Sequence, residues 1–375
     1  MAEIRLDDVQ KRFGDFTAVR TASFTVADGE FFVLLGPSGC GKTTTLRMIA
    51  GLELPTAGRI LLDGEDVTSS RASHRDIGFV FQLFALYPHM SVRGNIGFPL
   101  KCQGVARAEI RRRVDEVGRL LRIEHLLDRS VSGLSGGDSQ RVALGRAIVR
   151  RAKAFMMDEP LGALDSEFRH LMCVELRRLH ERIHATTVYV THDQNEAMAM
   201  ADKIAIMNGG MIEQIGAPME VYERPASVFV ADFIGAPAMN FLPFEAALAQ
   251  GTEAIVVGTA HVAVPALRED VSARRLLCGV RPEHVQLADD AALRAEVLGT
   301  EYLGSCQIVT LTTALGSTLR AKVAVDAPVA AGDHVGLRFD AAAVSLFDQA
   351  TGRALRTARN ETIPAGGPRA GGGHG

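Results

Sequence analysis

Short, unbroken apolar runs alternate with stretches of helical periodicity through the first 235 residues. The runs fall at 31–35, 76–81, 154–157, 187–190 and 203–207, and the helical stretches at 42–51, 107–127, 138–151, 166–184 and 193–200. Apolar runs this short, with no polar alternation, read as strands buried on both faces. Strands alternating with helices predict a mostly parallel sheet with helices around it. Gly209-Gly210 separates two short strand candidates, 203–207 and 211–214, as a hairpin turn would. From about Pro237 the helical period fades. Short β-branched runs follow at 254–257, 262–264, 276–280, 306–312, 317–325 and 333–338, broken by Gly, Pro and Asp. That pattern predicts a small all-β barrel. The expected domains are therefore 1–235 and 236–357, with a Gly/Pro-rich tail at 358–375 expected to be disordered.

Candidate chemistry begins where the first run ends. After Phe31-Phe32-Val33-Leu34-Leu35 comes Gly36-Pro37-Ser38-Gly39-Cys40-Gly41-Lys42-Thr43, followed by Thr44 at the start of a predicted helix. Glycines between a buried strand and a helix let backbone N–H groups curl around an anion at the helix N-terminus, where the dipole favours negative charge. All four fixed positions of a phosphate-binding loop are met in the strand-to-helix context it requires. Lys42 would reach the β- and γ-phosphates of a nucleotide, and the Thr43 hydroxyl would ligate Mg²⁺. Cys40 reads as filler in this loop; a thiolate stabilised by the helix N-terminus would instead make it oxidation-sensitive.

The run Ala154-Phe155-Met156-Met157 ends in two adjacent carboxylates, Asp158 and Glu159, before Pro160 stops the ladder. Neighbouring strand residues point to opposite sides, so the two can serve different purposes. Asp158 is suited to holding Mg²⁺ through water and Glu159 to polarising an attacking water. A solvated turn would carry the same two residues, but the phosphate loop in the same chain favours catalysis.

Composition narrows the class. The chain has 375 residues, enough for two or three domains, with 47% hydrophobic and 23% charged residues, as in soluble globular proteins. A net charge of -3 gives no broad nucleic-acid footprint, and runs such as Arg111-Arg112-Arg113 read as solvated helix faces. No apolar segment approaches a membrane span, and Met1-Ala2-Glu3-Ile4-Arg5 does not open a signal peptide. Five scattered cysteines without a C-x-x-C pair suit a reducing compartment and give no zinc or disulfide frame.

Leu134-Ser135-Gly136-Gly137, followed by Gln140-Arg141, resembles the signature motif of ATP-binding-cassette (ABC) ATPases. Other motifs occur in the family's order: Gln82 resembles the Q-loop glutamine, 161–165 the D-loop ending in Asp165, and His192 the switch histidine. Phe13 sits where the family places an aromatic that stacks on adenine. The resemblance covers roughly 1–235. Downstream, 235–243 and 279–284 look like the extension of importer ATPases of the maltose/sugar group, as does Phe84-Ala85-Leu86-Tyr87-Pro88-His89.

The resemblance implies an α/β P-loop NTPase cassette with a helical subdomain, followed by an OB-like (TOBE) regulatory domain. It implies ATP and Mg²⁺, with Thr43, Gln82 and Asp158 at the metal and Glu159, His192 and Gln82 in catalysis. It also implies a homodimer sandwiching two ATPs, in which Ser135, Gly136, Gly137 and Asp138 of one subunit face the nucleotide on the other's Lys42. Gly36, Ser38, Gly39, Cys40, Gly41 and Thr44 complete the nucleotide contacts. Two membrane permease subunits and, indirectly, an extracytoplasmic solute-binding protein are the implied partners, at the cytoplasmic face of the inner membrane. Sugar or polyol uptake is the expected function. The same layout also serves polyamine, iron or phosphonate importers.

One position departs from the family. Its signature continues with glutamine, whereas here Asp138 follows Gly137. A carboxylate there would repel the partner's phosphates, while the spacing from Ser135 suits a helix capping box. The expectation is a working but weaker ATP sandwich. Soluble cassettes acting on nucleic acid or ribosomes fit less well, because this chain has one cassette and no room for a long coiled coil between loop and signature. A β-rich domain that binds a regulator is compatible with the importer reading.

Overall fold

The computed structural model describes residues 2–81, 85–150, 152–162 and 164–361. It divides into two compact units, Met1–Pro218 and Met219–Gly375. The first unit opens with β1 (Ile4–Phe13), β2 (Phe16–Val26), β3 (Phe31–Leu35), α1 (Lys42–Ile49), β4 (Ala57–Leu62), β5 (Glu65–Asp66) and β6 (Ile77–Val80). Three helices follow, α2 (Val92–Cys102), α3 (Arg107–Leu120) and α4 (Gly136–Ile148). Then come β7 (Ala154–Asp158), α5 (Ser166–Ile183), β8 (Thr186–Thr191), α6 (Gln194–Met200), β9 (Lys203–Asn208) and β10 (Met211–Gly216).

The ten strands form one sheet in the order β5-β4-β1-β2-β10-β9-β3-β8-β7-β6. All five residues of β3 are buried, and β3 runs parallel to both β8 and β9. With β6 and β7, also parallel, these are the five apolar runs of the sequence. Both faces are covered, so their side chains need no polar alternation. Gly209 and Gly210 make the β9–β10 turn with positive φ at both positions, as a tight hairpin requires.

The sequence pattern did not reveal the antiparallel half built from β1, β2, β4 and β5. Irregular register between β1 and β2 breaks the period-two signal there. Nor did the pattern reveal α2, which carries Pro99 inside the helix. Leu34, Leu46, Met48, Met156 and Val190 join the two halves in one core.

The second unit contains α7 (Pro218–Glu223, after its first residue), α8 (Val228–Phe233), β11 (Asn240–Leu248), β12 (Ala254–Val257), β13 (Ala260–Ala263), β14 (Val271–Val280) and β15 (Val285–Leu287). It continues with β16 (Leu293–Tyr302), β17 (Gln307–Thr313), β18 (Thr318–Val323), β19 (His334–Phe339) and β20 (Ser345–Asp348). A five-stranded sheet, β15-β19-β16-β17-β18, curls until its edge strands β15 and β18 approach each other. The sheet β11-β14-β20 and the hairpin β12–β13 share its core, which includes Leu276, Val297, Leu311 and Leu346. This is the small all-β barrel that the broken β-branched runs predict.

The division falls before the boundary expected at 235, and Arg281 supplies the physical reason. Its fully buried guanidinium donates to the carbonyls of Tyr222, Ala231 and Ile234 and lies 4.2 Å over the Tyr222 ring. A buried charge needs this many partners, so α7 and α8 are tied to the β-rich unit. Residues 358–361, assigned from the sequence to the tail, are also held. Ala358 N–H donates to the Ala266 carbonyl, and Arg359 donates to the Glu223 and Ala342 carbonyls. The rest of that tail, 362–375, lies outside the described residues. Among the described residues, no helix is long and apolar enough to cross a membrane, and no cluster of three or more His, Cys, Asp or Glu could hold a metal.

Candidate nucleotide site

The loop 36–41 joins the C-terminal end of β3, which lies between the parallel strands β8 and β9, to the N-terminus of α1. Ligands of open α/β sheets sit beyond the carboxyl ends of strands. Gly41 precedes the helix with φ of 105°, a conformation open to glycine. Gly36 is glycine for a different reason: its φ is ordinary, but a Cβ there would lie 2.3 Å from the Met207 carbonyl oxygen. The Lys42 ammonium donates to the Gly36 and Pro37 carbonyls at 2.8 and 2.9 Å, which holds it across the mouth of the loop. Burial pushes the Cys40 thiol up, against the weaker opposing pull of Lys42. The oxidation-sensitive thiolate considered from the sequence therefore gains no support here.

The carboxylate pair lies beside this loop. The Thr43 hydroxyl donates to Asp158 Oδ1 at 2.8 Å. Burial raises the Asp158 carboxyl above the usual range; the Thr43 hydrogen bond opposes the shift and the neighbouring Glu159 charge adds to it. A hard divalent cation would relieve both burial and repulsion. A hydroxyl and a carboxylate in contact are the oxygen donors Mg²⁺ takes alongside phosphate and water.

Glu159, directly after β7, has φ of 42°, a strained value for a residue with a side chain. Its N–H donates to the Val190 carbonyl, and its Oε2 lies 3.2 Å from His192 Nδ1. His192, which follows β8, is 53% exposed on its side chain, and Glu159 only 18%. A shielded carboxylate beside an open imidazole is an arrangement able to hold an attacking water and the phosphoryl group it attacks.

A buried network that the sequence reading did not single out holds this corner. Glu196 accepts from the Tyr189 and Thr191 hydroxyls at 2.8 and 2.7 Å. Arg169 bridges Asp193, at 2.9 Å, to Glu196, at 3.7 Å. Asp193 caps α6 by accepting from the Asn195 and Glu196 N–H groups. Only the T-H-D-x-x-E spacing, a capping pattern just after a strand, hints at it.

Ser135 is the N-cap of α4: its hydroxyl accepts from the Asp138 N–H at 3.1 Å and donates to Asp138 Oδ2 at 2.8 Å. The spacing of the capping box is present, with the carboxylate turned onto the serine hydroxyl. Gly136 is exposed, and Gly137 packs so close to Phe168 that a Cβ would lie 2.3 Å from its ring. Asp165 caps α5, accepting from Phe168 N–H at 2.9 Å. Phe13 is 46% exposed at the tip of the β1–β2 hairpin, so it is not a core aromatic, and the Lys11 ammonium lies 4.7 Å over its ring. Ser38, Gly39 and Thr44 lie within the loop and its helix.

The structure thus gathers the loop, Thr43, Asp158, Glu159 and His192. Among the described residues, no hydrogen bond or ion pair ties Phe13, Asp165 or Ser135–Asp138 to the loop. Gln82, expected at the metal, lies outside the described residues, as do Phe84 of the 84–89 segment and Ala163 of the D-loop segment.

Comparison with known proteins shows the family. The ABC transporter family matches residues 19–162, and the TOBE domain matches 278–347. The sn-glycerol-3-phosphate import ATP-binding protein UgpC of Cereibacter sphaeroides is 45% identical over 95% of this chain and 100% of its own length. The trehalose/maltose import ATP-binding protein MalK of Thermococcus litoralis is 46% identical, again over 95% of this chain and 100% of its own length. Among solved structures, the dimeric structure of MJ0796, a bacterial ABC transporter cassette, matches with a TM-score of 0.53 and 32% identity. It covers 57% of this chain and 98% of that one. The site geometry and these full-length similarities agree: the chain belongs to the ATP-binding-cassette family, as the ATP-hydrolysing subunit of an importer that carries a TOBE domain.

Proposed function

We propose that two copies of this chain close on two ATP molecules at the cytoplasmic face of the membrane and drive two permease subunits that take up a sugar, a polyol or its phosphate ester. The observation that carries the reading is the joined pair of Thr43 with Asp158 and Glu159 with His192 beside one phosphate loop. Lys42 and the loop N–H groups from Gly36 to Thr44 bind the phosphates, and Phe13 offers its open face to adenine. Thr43, Asp158 and Gln82 hold Mg²⁺, which when bound neutralises charge on the phosphate oxygens. Glu159 accepts a proton from the attacking water, and His192 holds the γ-phosphate.

Ser135, Gly136, Gly137 and Asp138, with Asp165 nearby, contribute from the opposite subunit. The dimeric cassette among the solved relatives supports a shared site. The solute class rests on relatives named for glycerol phosphate and trehalose/maltose import. Selection itself would lie with the permeases and their binding protein.

A positioned general base is worth roughly 10²–10⁴ in rate. Glu159→Gln is therefore expected to lower turnover by that factor while retaining ATP binding, and to convert the protein to a heavier dimer only with Mg·ATP. Light scattering alongside a phosphate-release assay checks this; unchanged turnover would remove Glu159 as the base. For the solute, ATPase of the complex with permeases and binding protein is expected to rise with disaccharides or glycerol phosphate. Stimulation only by a polyamine, iron or phosphonate source would overturn the sugar and polyol reading.

A further inference from the structure

Away from the phosphate loop, α3, α4 and α5 enclose a cleft of about 290 Å³. Its floor is leucine: Leu144, Leu176 and Leu179 are buried, and Leu171 is exposed at its edge. Its rim carries five arginines, Arg119, Arg122, Arg141, Arg178 and Arg182, against one carboxylate, Glu175. Glu175 lies 3.6 Å from Arg122 and 3.4 Å from Arg178. The other three have no carboxylate partner among the described residues. Arg119 donates to the Asp115 backbone carbonyl, and Arg141 lies 5.4 Å from the Phe168 ring centroid.

Like charges gathered over a low-dielectric floor repel one another more than they would in water, so the cleft is built to favour an anion. The floor has no hydroxyl or amide to recognise a sugar, and it presents hydrocarbon. A second cavity of about 520 Å³ shares Leu120 and Arg182 with the first and is lined by Val117, Ile148 and Ile183, with Arg113 and Glu116 also on its wall. A chain entering from the basic rim has the apolar wall of this second cavity, Val117, Ile148 and Ile183, within its reach past Leu120.

We propose that this cleft binds a single-chain amphiphilic anion, a carboxylate or phosphate on one acyl tail. Each cavity lies at or below the middle of the roughly 300–1,000 Å³ usual for small-molecule sites, which suits one tail better than two. Arg141 connects the cleft to the nucleotide machinery, because it stacks on Phe168, which packs on Gly137 of the signature.

Equilibrium dialysis of the full chain with labelled laurate, and separately with a monoacyl glycerol phosphate, both below their micellar concentrations, tests this. One saturable equivalent per chain is expected, weakened at least tenfold by the double variant Arg119→Glu/Arg182→Glu and also by Leu171→Glu. All three positions are exposed, so retained ATP binding by each variant certifies a folded chain. Tighter binding of one probe identifies the head group, carboxylate or phosphate. No saturable binding would overturn the proposal, as would binding indifferent to both variants. Equal competition by inorganic phosphate, or equal binding of dodecyltrimethylammonium, would overturn the amphiphilic or the anionic half respectively.

Discussion

Asp138 stands where the family has glutamine, and its carboxylate accepts the hydroxyl hydrogen of Ser135 at 2.8 Å. The donor proposed to grip a partner's γ-phosphate is thus already engaged within its own helix cap. Closing the sandwich requires that bond to break and brings a carboxylate toward phosphate. Hydrogen bonds to charged groups contribute about 1.5–3 kcal/mol when shielded, and less for groups as open as these. Asp138→Gln is therefore expected to tighten ATP-driven dimerisation roughly tenfold, about 1.4 kcal/mol at room temperature. Light-scattering titration in a Glu159→Gln background checks this, and unchanged dimer affinity would remove the competition. Such a change would leave the cap intact, because the Asp138 N–H bond to Ser135 belongs to the backbone.

At the scale of elements, the two ends of α1 are fixed by different means. The N-terminus is the phosphate loop; the C-terminus is closed by buried Arg75, which donates to the Met48 and Ile49 carbonyls at 2.7 and 2.8 Å and to Thr68 and Ser70. A cation at the helix C-terminus complements its dipole. Arg75→Met would strand those carbonyls, and a loss of roughly 3 kcal/mol is expected on that basis. Denaturant unfolding measures it; a loss under about 0.5 kcal/mol would mean that water replaces the guanidinium.

Nothing in the sequence marks Arg75, because its partners are backbone carbonyls brought close only by folding. The same limit hid the Arg169–Glu196 network. By contrast, β3, the loop, Asp158 and Glu159 were legible, since a strand buried on both faces writes its apolar run directly into the chain. The antiparallel strands β1, β2 and β4 are half-exposed and bulged, which erased their alternation. Gly36 was legible as part of the loop, but the reason it must be glycine was not: the Met207 carbonyl, from a strand more than 150 residues away, excludes a Cβ.

At the scale of the whole molecule, the two units have separate cores, and only the first holds the nucleotide loop. Calorimetry of the Glu159→Gln chain is expected to show two transitions. Mg·ATP at a hundred times its Kd should raise one of them by the equivalent of about 2.7 kcal/mol and leave the other in place. A single transition that moves as a whole would show the units to be one cooperative block.

The order of strands has a further consequence, for synthesis. The run Phe31-Phe32-Val33-Leu34-Leu35 pairs only with β8 and β9, and β8 begins about 150 residues later in the chain. At roughly 5–20 residues per second on the ribosome, those five apolar residues wait some 8–30 s for their partners. During that interval this uncharged, strand-prone segment is the nascent chain's natural point of capture by a chaperone, and its most exposed route to aggregation.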